Sequence, residues 1–425
     1  MDEAGERRPE GWRATVIRIF LCLGLAAILS QFFRSATGVI APELMRDLAL
    51  SASEMGMLTA AFFLTFALTQ IPTGILLDRY GSRLTIAGTM LFAVAGSVVF
   101  FLAETYWHVV LARVLIGIGC AGVMMGGFVV LARWFDARSF TMTMGWMIAL
   151  SNAGNLLATT PMALATEWLG WRGTFLVMGL VTLAVVLAVL AGVRDAPPGH
   201  QFLARKRESG ADIWAGLKAV FRNPQLPYIL APGFVTYACT ITVLGLWAAP
   251  FLHDVHGLEG VERGNILLGM SLAIIAGTLI YSPLDRRIQS RRKLVLAGGG
   301  GSMACLAGLA MFAESSLWLV AALLIGFTLF NTYNVIVVAH GRTLFPDHLV
   351  GRGITTVNIA VQTGAAALQM ASGVLIGFVA ASVPGATDLP YRFLFAALAV
   401  VTLLALAYYA RAEDRVPQPL SQGRN

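Results

Sequence analysis

Apolar runs long enough to span a bilayer recur along the whole chain. About 20 such residues carry a helix across the hydrocarbon core. Twelve runs of roughly that length are present, at about 17–41, 54–77, 83–103, 108–131, 142–166 and 172–192, then 227–251, 264–284, 293–313, 317–340, 353–380 and 391–410. Short polar punctuation separates them. The longest polar stretch, Arg194 to Asn223, falls between the sixth and seventh runs. It holds Pro197-Pro198, the basic run Arg205-Lys206-Arg207 and an amphipathic piece, Ala211 to Phe221. That piece is expected to lie on the membrane surface with Trp214, Leu217 and Phe221 toward lipid. The pattern predicts an all-α membrane protein of twelve transmembrane helices. Residues 1–193 would form one six-helix bundle, 194–225 a cytoplasmic linker and 226–425 a second six-helix bundle. The polar N-terminus, Met1 to Arg13, has no small-residue cleavage site close behind the first run, so the first helix is expected to be retained.

Composition agrees with this pattern. Hydrophobic residues make up 57% and charged residues 12% of the 425, against roughly 25% charged in soluble domains. Too little charge is present to cover a water-facing surface, so lipid must cover much of it. The net charge of +7 invites a nucleic-acid reading, but the basic residues sit in short loops between apolar runs rather than on one polar face. Nucleic acid is therefore not an expected partner; the lipid bilayer is.

The basic residues also orient the chain. With a cytoplasmic N-terminus, 23 of the 30 Lys and Arg fall in cytoplasmic segments. The external loops hold Arg46, Arg172, Arg263 and Arg392, and the helices hold Arg18, Arg34 and Arg113. Both termini are expected in the cytoplasm, with the protein in the inner membrane. Cys22, Cys120, Cys239 and Cys305 all lie inside apolar runs without metal-site spacing. They read as small buried apolar residues. No phosphate-cradling loop, metal-ligand set or nucleophile constellation appears, so neither an enzyme nor a cofactor is expected.

The halves echo each other. Ala132-Arg133-Trp134-Phe135 and Arg138 follow the fourth run; Gly341-Arg342-Thr343-Leu344-Phe345-Pro346 and Arg352 follow the tenth. Asp78-Arg79 follows the second run and Asp285-Arg286 the eighth. Matching punctuation at matching places implies two related six-helix bundles. Transporters built from repeats bind substrate at the repeat interface near midplane.

The second run ends Gly74-Ile-Leu76-Leu-Asp78-Arg79-Tyr-Gly81-Ser-Arg83. This resembles the G-x-L-x-D-R-x-G-R-R loop signature of the major facilitator superfamily. In this reading Gly74 allows close helix approach, Gly81 makes the turn and Asp78 faces the positive N-terminal end of a neighbouring helix. Arg113-Val-Leu-Ile-Gly117-Ile-Gly119 resembles that family's R-x-x-x-G-x-G, and Trp171-Arg172-Gly-Thr-Phe175 is also similar to its members. The resemblance implies the two-bundle fold and alternating access. It places Gly74, Asp78, Arg79, Gly81, Arg83 and Arg133 in conformational gating. A finer resemblance is to the anion:cation symporter branch, with D-R-x-N-x-G-V-x-x-P on helix one and R-x-x-x-G-x-G-E-A on helix four. Arg34, Gly38, Val39 and Pro42 match the first; Arg113, Gly117, Gly119 and Ala121 match the second. Phe33, Ala36 and Cys120 depart from the Asp, Asn and Glu.

Arg34 and Arg113 carry most of the functional inference. A guanidinium in the hydrocarbon region costs roughly 2.5–3.5 kcal/mol even on lenient scales. At 1.5 Å per residue both arginines fall roughly 8–10 Å outside midplane. Two cations at one depth suit an anion, because guanidinium forks match carboxylate or phosphate. Structural bonding of Arg113 to backbone carbonyls, and snorkelling of Arg34 to the outer surface, are the alternatives. Asn358, Gln362 and Gln369 share one face of helix eleven, toward protein or a cavity. Asn331 and Asn334, and Asn152 and Asn155, form i,i+3 pairs. Trp247 walls a cavity or sits at the interface; His253, His256 and His340 are expected at interfaces. Arg34, Arg113, Trp247, Asn334, Asn358 and Gln362 are thus the candidate substrate contacts. No Asp or Glu falls mid-helix. The two acids of the branch pattern are missing at Phe33 and Cys120. Substrate would then carry its own proton, move with a coupling ion, exchange for another anion or simply equilibrate. The expected function is transport of a small solute, an organic anion by this reading. An exporter of apolar compounds and a transport-fold sensor are the competing readings.

Overall fold

A computed structural model describes residues 12–135, 137–197, 218, 222–288, 290–342 and 350–414. Every regular element among them is helical. In chain order these are α1 (Trp12–Val39), α2 (Ala41–Asp47), α3 (Ala52–Phe101), α4 (Tyr106–Ala121), α5 (Val123–Trp134), α6 (Ala137–Ser151), α7 (Ala153–Leu157) and α8 (Thr160–Gly192). Then come α9 (Leu226–Thr242), a π-helical turn (Val243–Trp247), α10 (Ala248–His256), α11 (Gly260–Ile288), α12 (Arg291–Met311), α13 (Leu317–Asn331), α14 (Asn334–Arg342), α15 (Val350–Ser382) and α16 (Leu389–Tyr409). The expected amphipathic piece, Ala211 to Phe221, lies outside the described residues apart from Lys218.

Among the described residues, ten continuous helical stretches are long and apolar enough to cross a membrane. The difference from the twelve expected runs has local causes. At 1.5 Å per residue, the 50 residues of α3 far exceed one crossing of about 30 Å. Helical geometry breaks at Gly81, with φ 81° and ψ 170°, a region essentially reserved for glycine. Gly170 (φ 67°, ψ 167°) breaks α8 in the same way. The run expected at 142–166 is divided among α6, α7 and the start of α8, with no single helix spanning it. Large side chains such as Trp168, Trp318, Leu279 and Phe378 are 70–86% exposed. In a multi-pass membrane protein such a surface faces lipid.

The chain divides into two compact units. The first comprises Met1–Ala36, Thr65–Ala158 and Ala165–Arg205; the second comprises Thr37–Leu64, Thr159–Leu164 and Lys206–Asn425. In the first unit small residues let backbones meet. A Cβ on Gly154 would lie 2.0 Å from the Ile28 carbonyl oxygen, and one on Gly119 would lie 2.6 Å from the Ala93 nitrogen. The Phe100 and Phe175 rings stack at 3.9 Å, with Trp171 edge-on to Phe100. In the second unit, Leu226, Ile229, Val295, Tyr333, Val337 and Tyr409 share one buried cluster. There α15 approaches α9 so closely that a Cβ on Gly364 would lie 2.2 Å from the Phe234 carbonyl oxygen. The start of α3 belongs to this unit and carries a reciprocal capping box: the Ser51 N–H donates to Glu54 Oε2 at 2.8 Å, and the Glu54 N–H donates to Ser51 Oγ at 3.3 Å.

Candidate functional site

In the first unit α1 carries Arg34, and the two intramembrane arginines have different environments. Arg113 on α4 is fully buried and donates from Nη1 to the Phe33 carbonyl at 2.8 Å. It thereby holds the peptide immediately before Arg34. Arg34 is half-buried, and its guanidinium carbon lies 4.3 Å from the centre of the Phe66 ring, a cation–π distance. Next to it, Ser35 donates to Asn155 Oδ1 at 2.9 Å, and Asn155 Nδ2 lies 3.5 Å from Asn152 Oδ1. The asparagine pair thus meets α1 beside Arg34, where Gly154 lets the backbones close. Phe33 turns away toward Phe175, at 6.4 Å between ring centres, and is 1% exposed; Cys120 is 3% exposed.

The break in α3 lies in the same unit. Gly81 sits beneath the Asp195 carboxylate: a Cβ there would lie 2.6 Å from Asp195 Oδ2. Asp195 Oδ1 accepts the Arg83 N–H at 2.8 Å. Arg133 Nη1 donates to the Asp195 carbonyl at 3.4 Å, and Trp134 Nε1 to the Arg194 carbonyl at 2.9 Å. Asp195 therefore occupies the N-terminal end of the helical arm that starts after Gly81. Asp78 is exposed and has no hydrogen-bond or ion-pair partner among the described residues. Arg79 lies over the Tyr80 ring at 5.2 Å. Among the described residues, nothing lies within 4 Å of a Cβ placed on Gly74.

In the second unit Trp247 is not interfacial. It is 1% exposed in the π-helical turn and donates from Nε1 to Ser372 Oγ at 2.7 Å. Gln369 Nε2 donates to the Ile241 carbonyl at 3.3 Å. Asn331 Nδ2 donates to the Thr236 carbonyl at 2.7 Å and reaches Thr240 Oγ1 at 2.6 Å. These side chains tie helices together. Gln362 differs: it is 1% exposed, and its Nε2 has no partner among the described residues. The same holds for Asn334 Oδ1. Asn358 is half-buried one turn before Gln362. Buried polar atoms without partners are costly, so Gln362 and Asn334 retain capacity to bond a ligand.

The Major Facilitator Superfamily pattern matches residues 23–369. The chain belongs to this superfamily. It is a multi-pass membrane transporter for small solutes, and not a member of an enzyme family. It is 28% identical over 334 residues to a protein of Escherichia coli (strain K12) named "Probable L-galactonate transporter", covering 73% of this chain and 71% of that protein. It is 23% identical over 404 residues to the "Probable sulfoacetate transporter SauU" of Cupriavidus necator (strain ATCC 17699 / DSM 428 / KCTC 22496 / NCIMB 10442 / H16 / Stanier 337), covering 90% and 91%. Among solved structures, it is similar to a bacterial homologue of the human lysosomal transporter Spinster in an inward-facing, occupied conformation. That likeness has a TM-score of 0.78 at 16% identity and covers 97% of this chain and all of the other; it speaks for the fold.

Asp195, Asp414 and Arg291 were not singled out by sequence. Asp414 treats α12 as Asp195 treats α3: it accepts from the Ser290 hydroxyl and, at 3.2 Å, from the Arg292 N–H. Nearby, Arg291 pairs with Asp285 at 3.3 Å and donates to the Ala339 carbonyl at 3.1 Å. Arg263, expected in an external loop, is 2% exposed and paired with Glu43. His340, expected at an interface, is 1% exposed and lies 2.8 Å from the Tyr409 hydroxyl. The available signal was weak: a carboxylate a few residues beyond the end of each half's last helix.

Proposed function

We propose that this superfamily member moves a small organic anion across the inner membrane by alternating access. The carrying observation is Arg34, a half-buried guanidinium in an apolar helix, seated on Phe66 beside the Ser35–Asn155 pair. Arg113 fixes the backbone that presents it. In the second unit, Gln362, Asn334 and Asn358 are the candidate polar contacts for a solute. Two relatives are named for L-galactonate and sulfoacetate, both acids that are ionised at neutral pH, which favours the anion. The anion:cation symporter branch is supported by Arg34, Gly38, Val39 and Pro42 on the first helix and by Arg113, Gly117 and Gly119 on the fourth. Phe33 and Cys120 are sealed in packing, so a proton that moves with substrate is not carried there.

The same proposal has twelve crossings in two related halves, 1–193 and 226–425, with both termini and the 194–225 linker cytoplasmic. The basic-residue distribution supports the orientation. The matched carboxylates Asp195 and Asp414 support the repeat. Gly81, Arg83 and Arg133 lie at the first of these junctions, with Gly74, Asp78 and Arg79 on the arm leading to it, and together they bias the conformational equilibrium.

The test is a thermal-shift series on purified protein with a sugar acid, a sulfonated short-chain acid and the uncharged sugar of matching shape. A ligand that binds only the folded state at 100 times its Kd adds about 2.7 kcal/mol of stability. The acids should raise the melting temperature and the neutral sugar should not. Equal stabilisation by the neutral sugar would remove the anion assignment.

A further inference from the structure

Where Thr37–Leu64 and Thr159–Leu164 pack within the second unit, glycines bring backbones together. A Cβ on Gly38 would lie 2.3 Å from the Gly245 carbonyl oxygen, one on Gly56 2.6 Å from the Gln369 carbonyl oxygen, and one on Gly264 2.9 Å from the Thr160 Cα. Into this layer α2 brings Glu43, and the first turn of α11 brings Arg263. Arg263 Nη2 donates to Glu43 Oε1. The Arg263 side chain is 2% exposed and that of Glu43 22%. Arg263 Nε and Nη1 and Glu43 Oε2 are buried without partners among the described residues. Other charged groups nearby are satisfied differently or face solvent. Arg46 pairs with Asp47, His253 with Glu259 and Asp254 with the Tyr391 hydroxyl, while Glu262 is exposed.

A buried pair of this kind adds little net stability, because desolvation offsets most of the attraction. Removing one partner is far more disruptive, because it strands the other charge. We propose that Glu43 and Arg263 form a charge-balanced switch at this junction. The helix ends stay together while both charges are present, and they part when either one alone is neutralised, because parting rehydrates the survivor. Alternating access requires such ends to part and rejoin, so the inference rests on the transport reading and adds the residues that set this step. Glu43 and Arg263 act here as positioning residues rather than substrate contacts.

The experiment measures maleimide labelling of Ser53→Cys in detergent, with background from the four native cysteines taken from the chain lacking that substitution. Ser53 lies in the same layer, its hydroxyl donating to the Gly373 carbonyl at 3.4 Å. Detergent exposes both faces and no substrate is added, so the result depends on neither the orientation nor the solute class. Glu43→Gln and Arg263→Met should each speed labelling about tenfold or more, since stranding a buried charge shifts the population toward the parted state. The double variant, with neither charge, should label close to the parent rate. Monodispersity on size exclusion confirms folding, and the charge-neutral double variant keeps the test informative if one single variant folds poorly. Parent-like labelling in both single variants, or a double variant at least as fast as either, would overturn the switch.

Discussion

Asp195 accepts the backbone N–H of Arg83 at 2.8 Å, from across 112 residues of chain. The carboxylate closes the start of the helical arm after Gly81, where unpaired N–H groups carry partial positive charge. Asp414 repeats the arrangement at Arg292. Two helices thus begin under a carboxylate supplied from just beyond the end of another helix.

Asp195→Ala should therefore lower stability by about 1 kcal/mol, the usual scale for losing a helix cap. Turnover should fall while substrate affinity holds. Asp78→Asn should leave stability within about 0.5 kcal/mol, as for other exposed positions, yet slow turnover. Thermal unfolding beside transport in vesicles checks both. A stable, fully active Asp195→Ala protein would deny the carboxylate its role.

Gly81→Ala should cost about 1–3 kcal/mol, because φ 81° with ψ 170° is strained for a side chain. The added carbon would also meet Asp195 Oδ2 at 2.6 Å. Gly88→Ala, on the same helix, meets nothing within 4 Å among the described residues. It should be neutral or stabilising by up to about 1 kcal/mol. Comparable melting temperatures for the two variants would contradict the backbone argument.

Most helices were legible in the sequence because bilayer thickness imposes a run length that composition reveals. The Gly81 break was legible because a glycine stood between two such runs. Asp195 and Asp414 were not, since each acts on a helix more than a hundred residues away and no local pattern announces it. Arg263 read as a loop residue because basic residues near helix ends usually face water; pairing with Glu43 keeps it buried. The arginines at 34 and 113 stood out by cost alone, but their separate environments depend on which helix backbone each one meets.

Arg113→Met should destabilise the protein more than any change at Arg34. Arg113 is fully buried and its bond to the Phe33 carbonyl is charge-assisted. Such bonds contribute roughly 1.5–3 kcal/mol. The expected signs are a lowered melting temperature and poor yield, with residual binding in whatever remains folded. A parent-like melting temperature would show that helix one does not depend on this clamp.

Fusion of a reporter active only outside the cytoplasm should give little signal from the C-terminus or the 194–225 linker. It should give a strong signal from the segment between α12 and α13, which carries no Lys or Arg. Strong activity at the C-terminus would reverse the orientation.

Arg34 is the position at which the anion assignment stands or falls. Arg34→Gln keeps length and hydrogen-bonding capacity but removes charge, whereas Arg34→Lys keeps charge and loses the planar fork. If an acid docks on this guanidinium, the Gln variant should lose roughly 1.5–3 kcal/mol of binding, which is about ten- to over one-hundred-fold in Kd. The Lys variant should retain part of the affinity, less the contribution of bidentate geometry and of stacking on Phe66. Because Arg34 is half-buried while Arg113 is sealed, folding should tolerate both substitutions, and a melting curve for each guards against mistaking unfolding for lost binding. Titration of the folded Arg34→Gln protein with the acid that stabilises the parent decides the matter: unchanged affinity would make Arg34 a structural residue and send the search for the anion's partner elsewhere.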